Sequence, residues 1–223
     1  TQASDFTPPL DSSKLYIVSG PIDFTGTGIS IEVPVGGLSM AGSSFDLSKL
    51  ICSDDNYTLY TSPVGGCGSI TKRDIACEIT GANSKVYGCT TASPNNAFEI
   101  ARINWNSCTS LGYLEGFRQG VETGTGRFGG KPELELRGAW SGGYFINTSI
   151  IRFITDGSYS IFKAGAGFVM QSRFRSDANM DLNATVALLD FAPANLPNDS
   201  TLQLTGCIIS RNGVFNSSDT TIT

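Results

Sequence analysis

The sequence predicts an all-β fold, a right-handed parallel β-helix with a short N-terminal arm and cap; a β-sandwich or jelly roll is the alternative. Three observations point there. Among 223 residues there are 26 glycines, and only 16% are charged, a composition that suits short strands joined by tight turns. An apolar, polar, apolar phrase recurs at nearly equal intervals, starting at Phe98, Leu134, Phe168 and Leu202. Such recurrence is expected of a chain winding through similar turns of a stack. Finally, hairpin dipeptides are scarce; Asp156-Gly157 and Asn212-Gly213 are the clearest. Consecutive hairpins are what the sandwich alternative would need.

Taken in order, residues 1–14 read as an extended arm, with two adjacent prolines and few apolar residues. Residues 15–50 hold N-terminal strands and a cap. Leu15–Val18 is a short strand, and Ile29–Val33 alternates cleanly up to Pro34. The stretch from Leu38 to Leu50 predicts a short helix or turn-helix, with Ser44 as N-cap ahead of Phe45, Leu47 and Leu50. It would close the open end of a strand stack. Residues 51–213 form the body and 214–223 a polar tail. Within the body, strands are expected at Tyr57–Tyr60, Asp74–Ile79, Lys85–Cys89, Phe98–Cys108, Trp140–Ile146, Ile150–Ile154 and Val186–Phe191. The glycine-rich run Val121–Pro132 reads as the largest surface loop, and Lys163–Gly167 as a tight corner.

Charge and cysteine usage narrow the function classes. Net charge is −5 and the basic residues are scattered, which argues against a phosphate-tracking nucleic-acid surface. No run of 18 apolar residues occurs, so no helical membrane span is expected, and Thr1 opens a polar segment with no signal-peptide pattern. Six cysteines, Cys52, Cys67, Cys77, Cys89, Cys108 and Cys207, would allow three disulfides in a secreted chain. Their spacing follows no compact framework, and Cys77, Cys108 and Cys207 lie in or beside apolar phrases, which favours reduced, buried thiols.

A search for chemistry finds little. With no histidine, Ser-His-Asp and Cys-His arrangements are impossible within one chain, and zinc lacks its usual ligand set. Gly124-Thr-Gly126 and Gly165-Ala-Gly167 fit no nucleotide fingerprint. Two carboxylate pairs stand out for glycoside hydrolysis, Asp54 with Asp55 and Glu133 with Glu135. The second shares a strand face, although two glutamates on such a face are commonly just solvated. Arg102, Arg137, Arg152, Arg173 and Arg175 lie in strands without an Asp cluster, as outer-face decoration or contacts to a neighbouring subunit. Trp105, Trp140, Tyr113 and Tyr144 are available to stack on sugars, but both tryptophans occupy a late position in their phrase, which favours shared packing. Asn106 and Asn212 near turns read as structural amides, and sequons at Asn56, Asn147, Asn183, Asn198 and Asn216 as chance matches. No catalytic, cofactor-binding or metal-binding residue is assigned.

The phrases Asn56–Tyr60, Phe98–Ser107, Gly116–Gly120, Gly138–Gly143 and Leu204–Gly213 resemble those of β-helical structural proteins of tailed-bacteriophage virions. That group includes fibres, spikes and capsid-decorating (cement) proteins, and the resemblance covers about residues 15–213. It implies a homotrimer that binds the major capsid protein or another virion protein, assembled in the host cytoplasm and resident in the virion. The expected function is non-enzymatic capsid decoration or a head or tail fibre. The alternative is a tailspike-like protein that binds or depolymerises a host surface glycan.

Overall fold

A computed structural model of the chain describes residues 2–124, 126–155, 157–181, 186–197, 200–204 and 209–210. It is a parallel β-helix, a β-solenoid of about 6 turns. Every strand pairing among the described residues is parallel, which excludes the sandwich or jelly roll.

Each coil contributes to three sheets. The first sheet stacks Leu15–Val18, Leu38–Gly42, Ile70–Arg73, Ala97–Ala101 and Gln119–Thr123, then the first halves of Gly143–Ile154 and Arg173–Asp181, then Thr201–Leu204. The second stacks Ile22–Asp23, Lys49–Cys52, Ala76–Ile79, Asn104–Cys108 and Arg127–Gly130 below the second halves of the same two long strands. The third stacks Ile31–Glu32, Thr58–Thr61, Lys85–Thr90, Gly112–Glu115, Leu134–Arg137, Tyr159–Ala164 and Val186–Asp190. The first two sheets are separated by a corner in the early coils. At Gly143–Ile154 one 12-residue strand runs through that corner and merges them.

Side-chain alternation turns these ladders into stacked rows inside the coil. One row of the first sheet reads Leu38, Ile70, Phe98, Gly120, Tyr144, Phe174. Gly120 is what admits its neighbour, since a Cβ there would lie 2.3 Å from the Tyr144 ring. The third sheet contributes Ile31, Tyr60, Tyr87, Gly112, Leu134 and Phe162. Gly112 has φ +80°, and a Cβ on it would sit 1.9 Å from the Tyr87 carbonyl oxygen. Aromatic rings then run the length of the interior. From Tyr60 contacts pass through Tyr87, Phe98, Phe117, Trp140, Tyr144, Phe174 and Phe191 to Phe168, with centroids 4.9–6.5 Å apart.

Several sequence expectations need correction. Residues 3–6 form a turn of 3₁₀ helix where an extended arm was expected. Phe6 is buried with its ring 5.8 Å from Tyr16 and 5.9 Å from Phe24, so the first residues themselves close the N-terminal end of the core. The stretch from Leu38 to Leu50 is no helix: it supplies a first-sheet strand and the start of a second-sheet strand, joined by one hydrogen-bonded turn from Ser44 to Ser48. Ser44 does accept a turn bond, from the Asp46 N–H, but caps a turn only. The Val121–Pro132 run is no large loop; it contributes to Gln119–Thr123 and Arg127–Gly130, because its glycines serve a tight corner. The 214–223 tail lies outside the described residues.

The interval between the recurring phrases is not the coil period. In the first sheet Leu15 pairs with Ser39, Leu38 with Ile70, Ile70 with Phe98 and Phe98 with Gly120. The step from coil to coil is therefore uneven, and each of these steps is shorter than the phrase interval. Phe98 lies in the first sheet and Leu134 in the third, so the phrases mark strands rather than one revisited face.

Candidate functional site

Two places concentrate polar side chains on this scaffold, one outside and one inside. Outside, a groove of about 490 Å³ crosses the second sheet, lined by Glu78, Thr80, Asn106, Ser107, Arg127, Gly129 and Gly130. Three successive coils build it. Glu78 follows Cys77 and Asn106 follows Trp105, and those two precursors are register partners, so both polar side chains face out. Glu78 Oε1 accepts hydrogen bonds from Lys49 Nζ at 2.8 Å and from Asn106 Nδ2 at 3.1 Å. Arg127 reaches toward the Ser44–Ser48 turn, 3.7 Å from Asp46 and with its guanidinium 5.7 Å from the Phe45 ring centre. Ser107 has φ +51° where the register shifts, and Gly129 and Gly130 leave the wall without side chains. The groove therefore offers donors, acceptors and bare backbone with charges of both signs.

Inside, one row of the first sheet reads Met40, Lys72, Ile100, Glu122, Ile146, Ser176. Lys72 and Glu122 are 1% and 3% exposed, two charged groups two strands apart in a packed core. Lys72 Nζ sits 4.6 Å from the ring centres of both Tyr60 and Tyr87, and 3.9 Å from Cys77 Sγ. Burial lowers its pKa, opposed by the charge of neighbouring groups including Glu122. Burial pushes the Glu122 carboxyl up to about 7, opposed by the hydrogen bond from the Tyr144 hydroxyl and by Lys72. The Tyr144 O–H donates to Glu122 Oε1 at 2.5 Å. Sequence reasoning missed both residues. The signal was parity: Lys72 shares a strand face with Ile70, and Ile70 is unmistakably core.

The candidate carboxylates are tied into structure. Asp54 and Asp55 point to opposite neighbours, accepting the Gly26 N–H and the Ala82 N–H respectively, both at 2.8 Å. They hold successive coils in register at one corner. Asn56 and Asn83 do the same beside them, both left-handed, with Asn83 Nδ2 donating a hydrogen bond to Asn56 Oδ1 at 3.3 Å. Glu135 faces outward and pairs with Arg137 at 2.8 Å, whose guanidinium lies 4.0 Å from the Tyr113 ring centre. Glu133 is half-buried just before that strand.

Three of the five arginines find carboxylates in their own chain: Arg102 with Asp74, Arg137 with Glu135 and Arg175 with Asp177. Arg173 is exposed, and the Arg152 side chain lies outside the described set. Trp105, Trp140 and Tyr144 are buried, which removes them as sugar platforms, while Tyr113 remains half-exposed. Cys52, Cys67, Cys77, Cys89 and Cys108 are free and buried, as the reduced-thiol reading expects. Asn106 is held by Glu78 rather than by a stacked amide. Cys207, Asn183, Asn198, Asn212 and Asn216 lie outside the described residues.

No family model, curated protein or solved structure matches the chain. Among the described residues no helix is long and apolar enough to cross a membrane, and no group of three or more Cys, Asp or Glu is placed to hold a metal ion.

Proposed function

We propose that the chain is a non-enzymatic structural component of a tailed-bacteriophage virion, decorating or stabilising the capsid or forming a head or tail fibre. The observation that carries this reading is the unbroken line of ring contacts from Tyr60 to Phe168 inside a capped, parallel stack. A coil whose backbone bonds run between turns and whose interior is closely packed resists bending, which is what a particle-bound spacer or clamp requires. Self-association has a surface available. Leu15, Ile17, Val35 and Val64 are 50–106% exposed, the first two on the end strand and the others on turns leading into the first sheet. The test is an antibody against the chain applied to particles banded on a density gradient. Labelling on the particle surface is expected. Recovery of the chain only outside the particle fractions overturns the reading.

The groove on the second sheet favours a second reading, recognition of a host glycan. Its volume is within the range of ligand sites, and adjacent coils repeat at about 4.8 Å, near the rise of a sugar unit in an extended chain. Binding to surface polysaccharides that is lost on replacing Asn106 or Arg127 by Ala, with unfolding unchanged, would favour it. Binding indifferent to both substitutions would remove it.

A further inference from the structure

The outer face of the second sheet carries a strap beside its groove. Lys49, Ala76, Asn104 and Arg127 are register partners in four successive coils. They alternate with the interior row Leu50, Cys77, Trp105 and Phe128, so they point outward. Yet Ala76 is 0% and Asn104 2% exposed, between a Lys49 and an Arg127 that both reach solvent. What covers them is the Ser44–Ser48 turn, which ends just before Lys49 and meets Arg127 from the far end of the row, where Phe45 and Asp46 flank the guanidinium. The next two coils take the same corner in two residues, Asp74-Ile75 and Arg102-Ile103, so the strap is extra chain laid over them.

The strap sets a carboxylate of the chain itself at the rim of the groove. Arg127 Nη1 lies 3.7 Å from Asp46 Oδ1, and the two side chains are 50% and 60% exposed. An ion pair this long and this open is a weak contact that another carboxylate can replace. The acidic group inside the groove is already engaged, since Glu78 Oε1 accepts from both Lys49 and Asn106. What faces the space is a guanidinium with its fork of donors, beside Thr80, Asn106, Ser107 and the bare backbone of Gly129 and Gly130. One cation among hydroxyl and amide groups matches a sugar that carries one carboxylate among its hydroxyls.

We propose that the groove selects an acidic glycan, one built with uronic acid units, whose carboxylate takes the place of Asp46 at Arg127 while ring hydroxyls meet Asn106 and Ser107. This rests on the glycan reading of the groove and names its ligand class. Asp46 is then a built-in competitor that holds the guanidinium in place when no sugar is bound.

The experiment is saturation-transfer NMR of the full chain with sodium glucuronate, galacturonate and mannuronate, each set against its neutral hexose. Uronates are expected to bind more tightly than their hexoses, and added salt should weaken the uronates alone. Arg127→Gln should remove the uronate preference, a loss of roughly ten-fold. Asp46→Asn should instead tighten uronate binding roughly two- to five-fold, the worth of an exposed ion pair, whereas a purely structural strap gives no gain. Equal binding of uronates and hexoses overturns the acidic preference and leaves the glycan reading standing; binding of neither overturns both. Uronate binding indifferent to Arg127→Gln and Asp46→Asn overturns the proposal as well, by placing the sugar elsewhere. The comparison of uronate with hexose needs no variant, so a failure of either variant to fold does not protect the proposal.

Discussion

Glu122→Gln is the substitution whose effect follows most directly from the geometry. Gln matches the carboxyl in shape and can still accept the Tyr144 hydroxyl, so packing is kept and only the charge is removed. Folding raises the Glu122 pKa from 4.5 to about 7, through burial. A group raised on folding contributes its stability fully below its unfolded pKa and loses it as pH climbs through the folded value. The window is therefore about pH 4.5 to 7, and the wild type should be most stable at its acid end. At 1.36 kcal/mol per unit, that shift corresponds to about 3 kcal/mol. The assay is urea unfolding of both proteins at pH 4.5, 5.5, 7 and 8. Relative to Glu122→Gln, the wild type should weaken by about 3 kcal/mol across the window and then level off. A difference between the two proteins that does not change with pH refutes the reasoning, because Glu122 would then keep the same charge in the folded and unfolded chains.

Other outcomes follow from the same structure. Lys72→Met replaces a buried cation by an apolar chain of similar volume and should raise the unfolding free energy by roughly 1–4 kcal/mol at neutral pH. Because folding lowers the Lys72 pKa, that gain should fade as pH rises toward 10.5, and a less stable Lys72→Met at pH 7 contradicts it. Gly112→Ala forces a left-handed residue and a methyl against the Tyr87 carbonyl, and should destabilise by roughly 2–4 kcal/mol, measured by thermal unfolding. The five described thiols should resist alkylation in the folded protein and react once it is unfolded without reductant, counted by intact mass; unreactive thiols after unfolding would reveal disulfides.

The fold was legible because a β-helix writes two local rules into its sequence. Alternation in phrases such as Phe98–Cys108 marks strands, and scattered glycine, asparagine and aspartate mark corners. The period was not legible, because corners absorb insertions. Among the early first-sheet partners the step from Phe98 to Gly120 is the shortest and that from Leu38 to Ile70 the longest, so similar strand phrases fall on different sheets. The N-terminal cap was hidden for another reason. Phe6 stands among polar residues and two prolines, and only the rings of Tyr16 and Phe24 at the end of the stack give it a partner. The interior polar row was readable in principle, since parity places Lys72 beside Ile70, but a charged residue in a strand is ordinarily assigned to the outer face. Asp54 and Asp55 looked like a catalytic pair because adjacency in sequence conceals that each staples a different neighbouring coil.

The claim that this rod serves as an assembled particle component is tested most directly by sedimentation equilibrium, before and after mild heating. Three chains of 23.6 kDa each, sedimenting as one species that survives the heating, is the expected result. A single species of 23.6 kDa under both conditions contradicts it.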